Sequence, residues 1–151
     1  MSRLKGACKV LHVDWKWKYR RLIELELKRR RINTYPFLLK TAANFSEARQ
    51  LANTTMHFDL LIVDPLTRTN NAPNRVCLGS KGGVGLEFLR LVFENRWPAL
   101  AGTAVVVFTA MPKESVIGQE IIRLGGDRVI WLAKPFWWRD ISDILIKLFC
   151  R

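Results

Sequence analysis

Long apolar segments and patterned cysteines are both missing from this sequence of 151 residues. Its longest apolar runs, such as 104–110, are much shorter than the roughly 20 residues of a membrane-spanning helix. The first thirty residues carry charges where a signal peptide needs an uninterrupted apolar stretch. Cys8, Cys77 and Cys150 are odd in number and widely scattered, which favours neither a disulfide framework nor a CxxC metal site. We therefore expect a soluble, cytoplasmic protein with reduced thiols.

Acidic residues are also scarce, with 13 Asp and Glu against 25 Lys and Arg and a net charge of +12. Residues 1–31 carry +8 of this charge, because eleven Lys and Arg there are opposed only by Asp14, Glu24 and Glu26. Such a segment attracts nucleic acid, anionic lipid or an acidic protein surface with little discrimination. A solvated helix face without a binding role is the alternative.

The length and the 49% apolar content predict one domain, spanning residues 1–151, with a substantial core. Short apolar runs alternate with helix-like stretches, which is typical of a parallel sheet covered on both faces. We therefore predict a doubly wound α/β fold. Its predicted strands are 9–13, 36–41, 58–63, 103–108 and 129–133, and its predicted helices are 16–31, 44–53, 85–95, 114–124 and 138–149.

Turn-forming residues mark the ends of these elements. Asn44 and Ser46 are both candidate amino-caps of the second helix. Residues 65–84 are rich in Thr, Asn, Pro, Gly and Ser, so we predict a long surface loop there.

Polar side chains directly follow four of the predicted strands. These residues are Asp14, Asp64, Thr109 and Lys134. Because the carboxyl ends of parallel strands lie at the same edge of a sheet, we expect them to converge there. Two carboxylates, a hydroxyl and an ammonium suit the binding of a divalent cation and a phosphoryl group. The alternative for Asp14 is that it is only a helix cap or a turn former before the helix that follows.

Five motifs carry a wider pattern: Val10–Asp14, Phe58–Asp64, Gly85–Leu89, Val105–Ala110 and Gly126–Phe136. In order and spacing they resemble the receiver domains of two-component response regulators, over nearly the whole chain. The resemblance implies the flavodoxin-like receiver fold, with a five-stranded parallel sheet flanked by helices. It also places Trp131 at the position of an aromatic switch residue and implies a cis bond between Lys134 and Pro135.

The resemblance implies that Asp64 accepts a phosphoryl group from a sensor histidine kinase or a phosphotransfer protein. Thr109 and Lys134 would bind the phosphoryl oxygens. Mg²⁺ would be held by Asp14, Asp64 and the backbone carbonyl of Leu66. Such a domain catalyses its own phosphorylation and dephosphorylation and is not a conventional enzyme.

Two departures from the family pattern weaken this expectation. Trp15 stands where receivers have a second acid, so we expect Mg²⁺ binding to be weak or absent. The segment after Asp64 is longer than the family norm and carries Arg68, Arg75 and Lys81 without an acid.

Two hypotheses about function follow. The first is a stand-alone receiver that is phosphorylated on Asp64 and signals to a downstream protein through contacts with it. The second is a phosphorylation-independent pseudo-receiver that acts as an interaction module, with nucleic-acid contact through its basic first helix. A homodimer is left open, as is membership of a larger protein.

Overall fold

The computed structural model describes residues 7–29, 31–32, 35–69, 83–135 and 138–149. The strands are β1 (Cys8–Val13), β2 (Arg31–Ile32), β3 (Tyr35–Ala42), β4 (Leu60–Val63), β5 (Ala104–Thr109) and β6 (Val129–Ala133). The helices are α1 (Trp17–Lys28), α2 (Phe45–Ala52), α3 (Gly83–Phe93), α4 (Val116–Gly125) and α5 (Trp138–Phe149). Two short 3₁₀ helices cover Pro98–Leu100 and Gly126–Arg128. No helix in these ranges is long and apolar enough to cross a membrane.

Within the described ranges the strands form one sheet in the order β2-β3-β1-β4-β5-β6. All neighbours from β3 to β6 are parallel, which confirms the predicted doubly wound α/β fold and its five parallel strands. The sixth strand, β2, is a two-residue antiparallel addition at the edge beside β3.

The predicted first helix is too long at its carboxyl end. We expected it to reach Arg31, but α1 ends at Lys28 and Arg31 lies in β2. Arg31 pairs with Pro36, and Ile32 pairs with Tyr35. Pairing with the exposed edge of β3 satisfies backbone groups there, so tertiary structure overrides the helical preference of an arginine run.

The sheet is buried on both faces by apolar side chains. Leu11 and Leu61 lie in the core on one side, whereas Val10 and Ile62 lie in the core on the other. This alternation follows from the two-residue period of a strand. The polar groups at the carboxyl ends of β1 and β4 are therefore fixed by strands that have no freedom to shift register.

Helix α2 begins at a well-defined cap. The Asn44 side chain accepts a hydrogen bond from the Glu47 amide at 2.9 Å, and the Glu47 carboxylate accepts one from the Ala43 amide at 2.7 Å. These reciprocal bonds identify Asn44, rather than Ser46, as the amino-cap.

The predicted loop at 65–84 is described only at its ends. Residues 65–69 continue from β4, and α3 begins at Gly83, two residues before its predicted start. Residues 70–82, with the basic Arg75 and Lys81, lie outside the described residues. Gly85 packs so closely on the turn after β4 that an added Cβ would lie 2.0 Å from the Pro65 carbonyl oxygen. Only glycine fits this position.

Candidate functional site

The four polar residues predicted to converge lie together at the carboxyl edge of the sheet. The Lys134 Nζ atom is 2.7 Å from Asp14 Oδ2 and 2.8 Å from Asp64 Oδ2. The Thr109 hydroxyl donates to Asp64 Oδ1 at 2.8 Å. The strand order β1-β4-β5-β6 accounts for this, since the four residues directly follow or end adjacent parallel strands.

Asp64 is held on both carboxylate oxygens. Its Oδ1 accepts from the Leu66 amide at 3.0 Å as well as from Thr109, while Oδ2 accepts from Lys134. The Asp64 backbone carbonyl accepts from the Thr67 amide at 3.0 Å, which closes a tight turn after β4. Only 3% of Asp64 is exposed, so the turn presents an oriented and nearly buried carboxylate.

Asp14 is completely buried beside it. Its Oδ1 accepts from the Lys16 amide at 3.0 Å, and its backbone carbonyl accepts from Arg20 Nη1 at 2.6 Å. Burial raises the pKa of Asp14 above its ordinary value, and the hydrogen bond from Lys134 opposes that rise. Lys16, not Asp14, is the amino-cap residue of α1, and the Lys16 side chain makes no capping bond. The Asp14 side chain instead bonds to the amide two residues on, which closes the turn between β1 and α1.

Lys134 contacts both carboxylates of the site, and its side chain is 3% exposed. Besides the two carboxylates, its ammonium lies 4.0 Å from the centre of the Tyr19 ring and 4.9 Å from that of Phe108. These aromatic faces add cation–π attraction to the two ion pairs. Sequence reasoning missed Tyr19, whose place on the inner face of α1 gave no signal beyond helical spacing.

His12 lies beneath Asp14 in the central strand and has no exposed surface. Its Nε2 is 3.8 Å from Asp14 Oδ2, and neither ring nitrogen makes a hydrogen bond with the described residues. Burial, followed by the charges of Lys134 and Arg20, lowers the pKa of His12 to about 3. The imidazole is therefore neutral near pH 7, as expected for a histidine of the sheet core.

Trp15, which directly follows Asp14, contacts two cations. The guanidinium of Arg68 lies 4.7 Å from the centre of the Trp15 ring, and the Lys16 ammonium lies 4.9 Å from it. Both residues were singled out from the sequence, Trp15 as a departure from the receiver pattern and Arg68 as a loop charge. Their contact was not predicted, because it joins turns more than fifty residues apart.

The described side chains fit a divalent cation poorly. They offer the carboxylates of Asp14 and Asp64, and they contain no group of three or more His, Cys, Asp and Glu that could hold one. The two carboxylates share the Lys134 ammonium, and Trp15, covered by Arg68, stands at the position of the missing acid. A cation would have to displace a buried ammonium and approach two further positive groups. The roles of Asp14, Asp64 and the Leu66 carbonyl as metal ligands stay predictions.

Two further expectations concern the strand that ends at the site. The Lys134–Pro135 bond is cis, which confirms that prediction. Trp131 is half-buried in β6 and packs against the core that contains Leu61. Its role as a switch stays a prediction.

No protein-family model matches this sequence, and no curated protein matches it. Solved structures do. The chemotaxis protein CheY4 of Vibrio cholerae is 24% identical, with a TM-score of 0.66 over 95% of this chain and 100% of that one. A signal receiver domain of an HD domain-containing protein from Pseudomonas fluorescens is 18% identical, with a TM-score of 0.68 over 94% of each chain.

A signal receiver domain of a two-component histidine kinase from Clostridium thermocellum is 15% identical, with a TM-score of 0.69 over 96% of this chain and 98% of that one. At these identities the likeness defines the fold. The chain therefore has the fold of CheY-like response-regulator receiver domains, as the sequence motifs suggested.

Proposed function

We propose that this chain is a signal receiver whose Asp64 accepts a phosphoryl group. The observation that carries the proposal is that Thr109 and Lys134 each bind one oxygen of the Asp64 carboxylate, at 2.8 Å in both cases. A hydroxyl and an ammonium in these places are positioned to bind phosphoryl oxygens once Asp64 is modified.

The transfer needs little from the protein beyond orientation and charge. One carboxylate oxygen of Asp64 attacks the phosphorus of a phosphohistidine, a phosphorus–oxygen bond forms, and the phosphorus–nitrogen bond breaks. The imidazole of the donor leaves with the electron pair. The donor is a sensor histidine kinase or a phosphotransfer protein, and the recipient of the signal is a downstream protein.

The surface that changes on phosphorylation is formed by α4, β6 and α5. Helix α4 presents Val116 with 88% of its surface exposed, which is unusual for an apolar side chain on a folded domain. A partner that reads the state of Asp64 would cover this residue.

The experiment is incubation with the small phosphodonor phosphoramidate, followed by intact-mass measurement. We expect one added phosphoryl group on the wild-type chain and none on Asp64→Asn. The matched control is Asp127→Asn, which removes an exposed carboxylate outside the site and should label like the wild type. Equal labelling of Asp64→Asn and the wild type would rule out Asp64 as the acceptor.

A second candidate function is the phosphorylation-independent interaction module, which is favoured by Trp15 at the acid position and by the saturated contacts of Lys134. Here the basic helix α1 is the contact surface, and Trp17, 72% exposed among cations, extends it. We propose an acidic protein face or nucleic acid as its target. Binding to unrelated DNA duplexes that falls steeply with salt would identify nucleic acid, whereas partner capture unaffected by Asp64→Asn would identify a constitutive module.

A further inference from the structure

The contact between Trp15 and Arg68 carries an inference that rests on the proposed acceptor role of Asp64. Trp15 directly follows Asp14, and Arg68 lies four residues after Asp64. The guanidinium is 4.7 Å from the centre of the indole ring. The pair therefore bridges the turn after β1 and the turn after β4, the two turns that carry the carboxylates.

We infer that Arg68, held against Trp15, supplies the positive charge for an incoming phosphoryl group, so that this site accepts phosphate without a divalent cation. On this inference the ligand of the site is a phosphoryl group that arrives without Mg²⁺, and Arg68 is the cation that binds it.

The charges around the site support this assignment. Asp14 and Asp64 bring two negative charges, and Lys134 offsets one of them. A phosphoryl group adds further negative charge, which the site must balance from its own cations if no metal enters. Arg20 already donates to the Asp14 backbone carbonyl at 2.6 Å. Arg68 and Lys16 contact the Trp15 ring, next to the turns that carry the carboxylates. Between them, the planar guanidinium is suited to binding two phosphoryl oxygens at once.

Arg68 is also anchored through its backbone. Its carbonyl accepts from the Phe45 amide at 2.8 Å, and the next carbonyl, that of Thr69, accepts from the amide and the hydroxyl of Ser46, both at 2.9 Å. The first turn of α2 therefore holds the segment that carries the guanidinium. With its backbone anchored and its side chain stacked, Arg68 loses little conformational freedom when it meets an anion.

The test has two readouts, of which the first does not depend on phosphorylation. Mg²⁺ is titrated while the amide resonances of Lys16 and Leu66 are followed, because these amides donate to Asp14 and Asp64. We expect no saturable shift. A saturable shift of both resonances that is lost in Asp64→Asn would overturn the metal-free assignment and leave the proposed function standing.

The second readout is the rate of labelling by phosphoramidate in EDTA and in excess Mg²⁺. In this reaction Asp64 attacks phosphorus, the phosphorus–nitrogen bond breaks and ammonia leaves with the electron pair. We expect the two rates to agree within about twofold, since no metal takes part. Arg68→Ala should lower the rate about tenfold or more, because it removes the cation that we assign to balancing the developing charge.

Two variants separate charge from stacking. Arg68→Lys keeps the charge and should recover part of the rate, whereas Trp15→Leu keeps Arg68 but removes its support and should lower the rate. Arg96→Ala is the matched control, because Arg96 is 72% exposed and lies in the turn after α3, remote from the carboxyl edge. Far-UV circular dichroism verifies that each variant is folded.

The outcomes are distinct. Labelling that requires Mg²⁺, or labelling that Arg68→Ala leaves unchanged, overturns the inference while Asp64 remains the acceptor. Absence of labelling in both conditions overturns the proposed function and the inference together. Metal-independent labelling that depends on Arg68 supports both.

Discussion

Two cations flank β6, one at the amino end and one at the carboxyl end of this strand, and the protein holds them in different ways. Lys134, after β6, contacts the carboxylates of Asp14 and Asp64. Arg128, before β6, donates to neutral oxygens. These are the backbone carbonyls of Thr103, Val92, Phe93 and Leu100 and the side-chain oxygen of Asn95, at 3.1 to 3.4 Å.

The difference indicates which cation serves the fold and which serves the site. The guanidinium of Arg128 donates to several carbonyl oxygens at once and links the end of α3 to the start of β5. None of these acceptors is a group that a reaction would modify. The Lys134 ammonium lies between two carboxylates. If Asp64 is phosphorylated, Lys134 can transfer its contact from the Asp64 carboxylate to the phosphoryl group and keep its ion pair with Asp14. A buried cation with ionised partners at strand ends indicates chemistry, whereas a partly buried cation with carbonyl partners indicates stability.

The largest expected effect is that of Lys134→Met, which leaves Asp14 and Asp64 buried without their cation. We expect a loss of about 4 kcal/mol in the free energy of unfolding at pH 7, because removing one partner of a buried ion pair leaves an uncompensated charge. Urea unfolding measures it.

This loss should shrink as the pH falls towards 5. The pKa of Asp14 is already raised by burial, and removal of Lys134 takes away the hydrogen bond and the charge that most oppose this rise, leaving only the bond from the Lys16 amide. The folded variant then binds a proton more readily than the unfolded chain does, so acid favours folding. A deficit that stays constant with pH would contradict the pairing role of Lys134.

Arg128→Met should cost less, about 2 to 3 kcal/mol, because the carbonyls it leaves behind are neutral and partly reached by water. The cost should be independent of pH between 5 and 7, in contrast to that of Lys134→Met. Phosphoramidate labelling should be unchanged, which the same preparation can verify. If a folded Arg128→Met variant is no longer labelled, Arg128 serves the site as well as the fold, and the contrast with Lys134 is wrong.

His12 makes the carboxyl edge sensitive to pH in a second way. The pKa of His12 in the folded chain is about 3, below the ordinary value of 6.5. As the pH falls below 6.5, His12 is therefore protonated in the unfolded chain but not in the folded chain. Stability from this group is present above pH 6.5 and is lost below it, by about 2 kcal/mol between pH 7 and pH 5.

His12→Val should abolish that loss, as shown by urea unfolding at pH 7, 6 and 5. The control is His57→Gln, which replaces an exposed histidine outside the site. If His12→Val and the wild type change in parallel, another group must account for the acid sensitivity.

The smallest expected effect is that of Asp64→Asn on stability. The amide oxygen still accepts from Leu66 and Thr109, and Lys134 keeps its bond to Asp14. The amide NH₂ replaces the oxygen that accepted from Lys134, and relief of the repulsion between the two carboxylates offsets the loss of that bond. We expect a change of under about 1 kcal/mol in the free energy of unfolding. A loss larger than that of Arg128→Met would show that Asp64 is mainly structural.

Much of the site followed from the sequence because backbone topology alone brings Asp14, Asp64, Thr109 and Lys134 to one edge. Each follows or ends an apolar strand, and parallel pairing aligns the strand ends. The double contact of Lys134 with carboxylates 120 and 70 residues away depends on side-chain conformations that no periodic pattern encodes.

Two other features escaped sequence reasoning for similar reasons. The acceptors of Arg128 are mostly backbone carbonyls, which have no signature in residue identity. The end of α1 at Lys28 depends on pairing between β2 and β3, a tertiary contact that competes with good helix formers. Local patterns thus predicted the scaffold, and long-range contacts decided the details.

The close packing of Gly85 on Pro65 and the bonds from Ser46 to Thr69 have a consequence for how this protein tolerates change. They fasten the chain where it leaves the site and where it returns into α3. Closing a longer loop between fastened ends costs little extra entropy, since that cost grows only with the logarithm of length. The sequence between 69 and 83 is therefore a natural insertion point, where a foreign peptide or reporter domain can be grafted while the fastened residues on either side keep their places.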